Sequence, residues 1–286
     1  MLSSSTNAHV LRAVIPAAGL GTRLRPITRV LPKELLPIGR RLLVDYVIEE
    51  LRTCGVTHAL FIVSEQKPQI KQYLGSVVGT NSDELPALHI DYTCQREPRG
   101  SGHAVLCASE WAKGEPVAVV FGDCVIESRD TTPPLARLMN VFGANNASAA
   151  ILVETVNSDQ VHKYGIVDPV PGASAELDEP FPLRDIVEKP TAQTAPSNRA
   201  AAARWVISSE VMEELRHTPN DTRGEINLPD AIRRVLGRGG TGWAVPLRQG
   251  EARRDIGSPE SYMEHFVRVA LHDPAMAHHF GGGFSR

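Results

Sequence analysis

Short apolar runs punctuate the first half of the chain, at residues 10–15, 59–63, 88–92, 117–121 and 149–153, and each is bounded by polar or turn-forming residues. Runs of this length, rich in Val, Ile and Ala, predict strands buried on both faces. Between the first two, Leu43, Val47, Ile48 and Leu51 share one face of a helix that Gly55 stops. Further helices are expected from Pro68 onward and from Gly102 towards Trp111. Strands alternating with helices predict an α/β fold, a Rossmann-like, mostly parallel mixed sheet flanked by helices. Such a sheet takes its ligands at the carboxyl ends of its strands.

Beyond residue 155 the pattern changes. Strands expected at 164–167, 183–187 and 201–207 are separated by loops rich in Pro, Gly and Asp, and helices return at 209–215, 227–236 and 258–271. This half is expected to elaborate the same sheet and bind an acceptor. The organisation predicted is one domain over 9–272, with a first half at 9–154 and a second at 155–272. Residues 1–8 and 273–286 are expected to be disordered tails.

Composition narrows the function classes. With 30 basic and 33 acidic residues in 286, the net charge of −3 leaves no footprint for nucleic acid or a membrane surface. No apolar run reaches the roughly 18–20 residues of a membrane span. Residues 1–12 lack the charged start and apolar core of a signal peptide. Four separated cysteines, with no Cys-x-x-Cys pair, suit reduced thiols in the cytoplasm.

The run 14–38, VIPAAGLGTRLRPITRVLPKELLPI, carries the candidate chemistry. An apolar strand passes into a loop where Ala18, Gly19, Gly21 and Thr22 can bring backbone N–H groups close to an anion. Arg23, Arg29 and Lys33 follow within reach, which suits a polyphosphate. The run is neither a P-loop nor a dinucleotide fingerprint, because it has no Gly-Lys-Ser/Thr and no third glycine. Pro32 fixes the backbone before Lys33, whose side chain either reaches back over the loop or stays solvated. Asp123 ends the apolar strand VAVVFGD, placed for Mg²⁺, with a turn or helix cap as the alternative.

The whole run resembles the N-terminal signature of the nucleoside-triphosphate:sugar-1-phosphate nucleotidylyltransferases. Pro32-Lys33-Glu34-Leu35-Leu36-Pro37 is most similar to the bacterial UTP–glucose-1-phosphate uridylyltransferase branch. So are Ala195-Pro196-Ser197-Asn198 and Gly224-Glu225-Ile226-Asn227-Leu228 with Asp230-Ala231-Ile232, which extends the resemblance over about residues 10–270. It implies the nucleotide-diphospho-sugar transferase type of fold. It further implies UTP and glucose 1-phosphate as substrates, UDP-glucose and pyrophosphate as products, Mg²⁺ as cofactor, and a homo-oligomer, either dimer or tetramer. Glucose-1-phosphate thymidylyltransferase, another hexose-1-phosphate uridylyltransferase, and a catalytically silent regulatory homologue are the alternatives.

By the same resemblance, Lys33 and Arg23 act on the triphosphate, and Asp255 in Arg253-Arg254-Asp255-Ile256-Gly257 completes a metal site with Asp123. A sugar 1-phosphate is already ionised at neutral pH, so no general base is required. Gln95 offers a donor and an acceptor to a uracil edge, with Gly100 packed near the ring. Gly165 lines the hexose pocket, Glu188 accepts from sugar hydroxyls, and Lys189 holds the sugar phosphate. The chain departs from the family at Cys124, where a second acidic residue is common, and at Gly100-Ser101-Gly102. Gly39-Arg40-Arg41 is a further departure, as is a shortened segment between Leu74 and Leu88 that in the family helps build subunit contacts.

Overall fold

The computed structural model of the protein describes residues 10–77, 86–173 and 178–276. Its first half contains β1 (Arg12–Pro16), the small hairpin β2 (Pro37–Ile38) and β3 (Arg41–Leu42), α1 (Leu43–Thr53), β4 (His58–Val63), α2 (Pro68–Val77) and β5 (His89–Cys94). There follow α3 (Ser101–Leu106), α4 (Ser109–Ala112), β6 (Val117–Val120), β7 (Cys124–Glu127), α5 (Pro134–Ala144) and β8 (Ala149–Thr155). The second half comprises β9 (Gly165–Pro169), β10 (Phe181–Glu188), β11 (Arg199–Ile207), α6 (Ser209–Glu214), α7 (Leu228–Leu236), β12 (Gly242–Pro246), β13 (Ala252–Asp255) and α8 (Pro259–His272).

Nine strands form one sheet in the order β5-β4-β1-β6-β11-β8-β12-β10-β9. β5, β4, β1 and β6 are mutually parallel, as are β8 and β12, whereas β11 and β10 run against their neighbours. The mixed, mostly parallel sheet expected from the alternation is therefore present. The sheet also interleaves the two halves of the chain, because β11 sits between β6 and β8.

Alternate strand residues face two separate cores. Val14, Leu60, Val119 and Ile151 pack on the face covered by α3, α6 and α7. Ala13, Ile15, Phe61 and Val120 pack on the other, with Val47 and Leu51 of α1 and Leu135 and Leu138 of α5. Burial on both faces is the reason these strands read as unbroken apolar runs.

Several local expectations are corrected. The single helix expected at 102–111 is broken at Cys107 and Ala108 into α3 and α4. Helix α5 and strands β7, β12 and β13 were absent from the sequence reading, and Phe121 lies just beyond the end of β6. Residues 273–276, expected in the tail, are described: Arg40 Nε donates to Asp273 at 2.6 Å, and 274–276 form a helical turn. Residues 1–8 and 277–286, and most of the shortened segment before Leu88, lie outside the described residues. Among the described residues no helix is long and apolar enough to cross a membrane.

Candidate active site

The glycine loop leaves the carboxyl end of β1, where Ala17 N–H still donates to the Ile62 carbonyl at 2.8 Å. Gly21 takes the left-handed conformation (φ 60°, ψ 37°) and opens a short 3₁₀ turn over Thr22–Leu24. Thr28 Oγ1 donates to the Gly21 carbonyl at 2.7 Å, and a Cβ at Gly21 would stand 3.0 Å from Thr28 Cγ2. Both the backbone angle and the contact require glycine here. Lys33 begins another 3₁₀ turn, Lys33–Leu35, held down by buried Leu35 and Leu36. Its ammonium reaches back to the loop, and a Cβ at Gly19 would lie 3.6 Å from Lys33 Nζ. The solvated alternative for Lys33 is thereby removed.

Lys33 Nζ donates to Asp123 Oδ2 at 2.5 Å. Asp123 follows β6, and Asp255 closes β13. These positions, far apart in the chain, meet because β7 and β13 pair antiparallel with Asp255 opposite Cys124. Ile256 N–H also donates to the Asp123 carbonyl at 2.9 Å. The two carboxylates thus stand on neighbouring rungs of a small ribbon.

Their electrostatics differ in sign. Burial pushes the Asp123 carboxyl up, but the ammonium of Lys33 outweighs it and holds the group below the ordinary carboxylate range. Burial and then the like charge of Asp123 hold Asp255 above that range. For Lys33, burial opposes the charged form, and Asp123, Glu34 and Asp255 together overcome it, so the ammonium is retained.

Two residues assigned no role from the sequence shape this corner. Arg204 is wholly buried in β11, donates to Glu50 (Nη2 to Oε2, 2.6 Å) and donates to the carbonyls of Cys124 (2.9 Å) and Ala203 (3.0 Å). A charge inside the apolar run AAARWVI was the available signal. It fixes the backbone just after Asp123 and stands at a bulge where β11 shifts register and Ala203 takes φ 60°. Gly257 is the second. A Cβ there would lie 2.5 Å from Asp255 Oδ2 and 2.8 Å from Arg23 Nη2, so both side chains close over the glycine.

A cleft of about 600 Å³ joins Arg23, Asp123 and Asp255 to Gly165, Glu188 and Lys189. Gly165 pairs with Glu188 across β9 and β10, and a Cβ at 165 would stand 3.3 Å from Glu188 Oε2. Lys189 lies in the left-handed region (φ 46°), its N–H donates to the Tyr164 carbonyl, and its Nζ is 3.0 Å from Glu188 Oε1. Arg253 also lines the cleft, over the Tyr164 ring at 4.6 Å and bonded to Glu154.

Gln95 does not line this cleft. It is buried at the end of β5, with Nε2 placed 3.3 Å from the Gly100 carbonyl oxygen and 2.9 Å from His103 Nδ1. Gly100 (φ 92°) packs so tightly on the Ile226 backbone that a Cβ would fall 2.5 Å from its carbonyl oxygen. Cys124 is buried, and burial pushes its thiol up to about 12, so it stays protonated at neutral pH. Gly39-Arg40 forms the turn of the β2–β3 hairpin and Arg41 opens β3, with Gly39 seated on Val269 of α8.

Comparison with known proteins identifies the family of the chain. The family model described as nucleotidyl transferase matches residues 12–270. UTP–glucose-1-phosphate uridylyltransferase of Staphylococcus epidermidis is 32% identical over 284 residues, covering 94% of this chain and 95% of that protein. The UTP-bound UGPase from Acinetobacter baumannii superposes with a TM-score of 0.81 at 27% identity, covering 95% of this chain and 97% of the other. A UDP-glucose pyrophosphorylase complexed with UDP-glucose gives 0.80 at 28% identity, covering 91% and 98%. With a family model matching almost its whole length and a relative of this identity along nearly all of it, the chain belongs to the nucleotidyl transferase family, in its UTP–glucose-1-phosphate uridylyltransferase branch.

Proposed function

We propose that the protein transfers the uridylyl group of UTP to α-D-glucose 1-phosphate, giving UDP-glucose and pyrophosphate reversibly. The observation that carries this reading is one cleft lined by Arg23, Asp123 and Asp255 and by the Glu188–Lys189 pair, with Lys33 bonded to Asp123. The similarity to a UTP-bound and a UDP-glucose-bound relative supports the same substrates.

In this reading a phosphate oxygen of glucose 1-phosphate attacks the α-phosphorus of UTP in line. The bond to the bridging oxygen breaks, and pyrophosphate departs with the electron pair. Lys33 stabilises the charge that develops around the α-phosphate, and Arg23 holds the departing pyrophosphate. Backbone N–H groups of Ala18, Gly19, Gly21 and Thr22 cradle the triphosphate. Glu188 orients sugar hydroxyls over Gly165, and Lys189 holds the sugar phosphate as a point charge. The base is assigned to the 95–100 segment, with Gln95 holding the Gly100 turn from within.

Mg²⁺ is the proposed cofactor, held by Asp123 and Asp255. Two hard oxygen donors on adjacent rungs, one with its carboxyl raised by burial and by the other's charge, fit a small divalent cation that keeps water and phosphate oxygens at its remaining positions. When bound, it would neutralise phosphate charge. Among the described residues no group of three or more His, Cys, Asp or Glu side chains could replace this pair. A cytoplasmic homo-oligomer completes the proposal.

The test is pyrophosphate release across a matrix of nucleoside triphosphates and sugar 1-phosphates. UTP with glucose 1-phosphate should be the best pair. A tenfold preference for dTTP, equivalent to about 1.4 kcal/mol, would move the protein to thymidylyl transfer.

A further inference from the structure

A second ion pair lies directly beneath the catalytic wall. Lys67 and Glu34 are 6% and 1% exposed, and Lys67 Nζ donates to Glu34 Oε2 at 2.9 Å. The same ammonium donates to the Ala17 carbonyl at 3.1 Å. Ala17 is the root of the glycine loop, and Glu34 immediately follows Lys33. Lys67 itself belongs to the loop after β4, where its N–H donates to the Ser64 carbonyl at 3.0 Å. The approach to Asp123 leans on the pair as well, because a Cβ at Gly122 would stand 3.4 Å from Glu34 Cγ.

Stability alone does not account for this arrangement. Taking both charges out of water costs several kcal/mol, and apolar side chains of similar volume often serve a fold equally well or better. The compensation here is incomplete: Glu34 Oε1 is buried and has no partner among the described residues. Burial pushes the Lys67 ammonium down, and Lys33 adds repulsion, with Glu34 opposing both. An ion pair provides what an apolar pair cannot, a directional link between two particular loops.

We infer that Lys67 is a positioning residue for the triphosphate site, bonding Glu34 and the Ala17 carbonyl so that the glycine loop and Lys33 stay in one register. The inference rests on the function proposed above and adds a residue to it. The opposite wall, with Gly165, Glu188 and Lys189, is outside the reach of this link.

The experiment compares Lys67→Met with the apolar pair Lys67→Met/Glu34→Leu. Lys67→Met should lose both melting temperature and kcat, because it strands a buried carboxylate. The apolar pair should recover the melting temperature while kcat stays at least about tenfold low, with KM for glucose 1-phosphate within about twofold of wild type. An apolar pair with wild-type melting temperature and wild-type kcat would overturn the inference, since the ion pair would then be structural only. If the apolar pair does not fold, amide hydrogen exchange in Lys67→Met decides.

Wild-type protein that forms no UDP-glucose would refute the function, not the tether. The tether is judged separately by amide hydrogen exchange over residues 17–24, which should quicken by about tenfold or more in Lys67→Met. Unchanged exchange there would overturn it.

Discussion

On the wall proposed to be catalytic, Arg23, Lys33, Asp123 and Asp255 each stand within three residues of a side chain in one small apolar cluster. Leu24, Leu36, Val125 and Ile256 belong to it, joined by Ile38, Leu43 and Tyr262. On the facing wall, Gly165, Glu188 and Lys189 rest on a cluster whose buried members are Val161, Ile166 and Ala200. Exposure separates the two lysines: the side chains of Lys33 and Asp123 are 17% and 21% exposed and that of Lys189 43%, while Glu188 is as covered as Asp123 and Arg23 is exposed. One wall holds a lysine and an aspartate fixed by each other. The other presents a lysine to solvent at the end of a strand pair.

The physical consequence is a division of labour. Donors that act on developing charge are most effective when they need no reorganisation at the moment of reaction. Groups that only recruit a substrate can be solvated beforehand and rearrange at modest cost. Losses on the first wall should therefore fall on kcat, and losses on the second on KM.

The largest effect expected is at the ribbon. Asp123→Asn and Asp255→Asn should each bring turnover close to background with the fold retained. The double variant should be little worse than either single, because both serve one site. Additive losses in steady-state kinetics would assign the two carboxylates to separate tasks and dissolve the single catalytic wall.

Lys33→Ala should lower kcat by about 10²–10³ while UDP-glucose still binds through the other wall. Lys33→Arg should not recover it, since a planar fork does not replace a compact ammonium in contact with Asp123. Calorimetric titration with UDP-glucose beside single-turnover kinetics checks both statements. Normal turnover by Lys33→Ala would remove the central group from the wall.

Gly257→Ala tests how tightly that wall is packed. The added methyl falls between Asp255 Oδ2 and Arg23 Nη2, so kcat should drop by about tenfold, with the melting temperature close to wild type. Retention of full activity would mean that these two side chains have room to separate.

The smallest change in turnover is expected on the facing wall. Glu188→Gln keeps the shape but loses the charged acceptor, a difference of about 1.5–3 kcal/mol per hydrogen bond to a charged group. KM for glucose 1-phosphate should rise by about tenfold or more, with kcat little altered. A loss confined to kcat would erase the contrast between the walls.

Much of this was legible in the chain. The apolar runs became β1, β4, β6 and β8 because strands covered on both faces leave a continuous hydrophobic signature, whereas β5 is a partly buried edge strand. The glycine loop announced itself through Gly19, Gly21 and the basic residues that follow, since close backbone approach and cationic charge are local properties. Helix α5 was missed although Leu135, Leu138 and Phe142 sit at helical spacing, because Pro133 and Pro134 read as loop where they in fact start the helix. The short strands β7 and β13 were missed because four residues carry too little periodicity to register.

Sequence by itself determined the α/β alternation, the place of the glycine loop at a strand's carboxyl end, and the identity of the charges available there. Those properties are set by side-chain chemistry and short-range spacing. Tertiary structure alone decided which charges meet. Asp123 and Asp255 are brought together by the β7–β13 register, Lys33 is turned inward onto Asp123, and Arg204 is drawn beneath them from a strand of the second half. Lys67 reached Glu34 and Ala17 only because β1 and β4 are parallel neighbours, so the loops that follow them leave from the same edge of the sheet. Contacts of this kind depend on strand order and crossover, which the chain specifies through the packing of the whole sheet and not through any local pattern of residues.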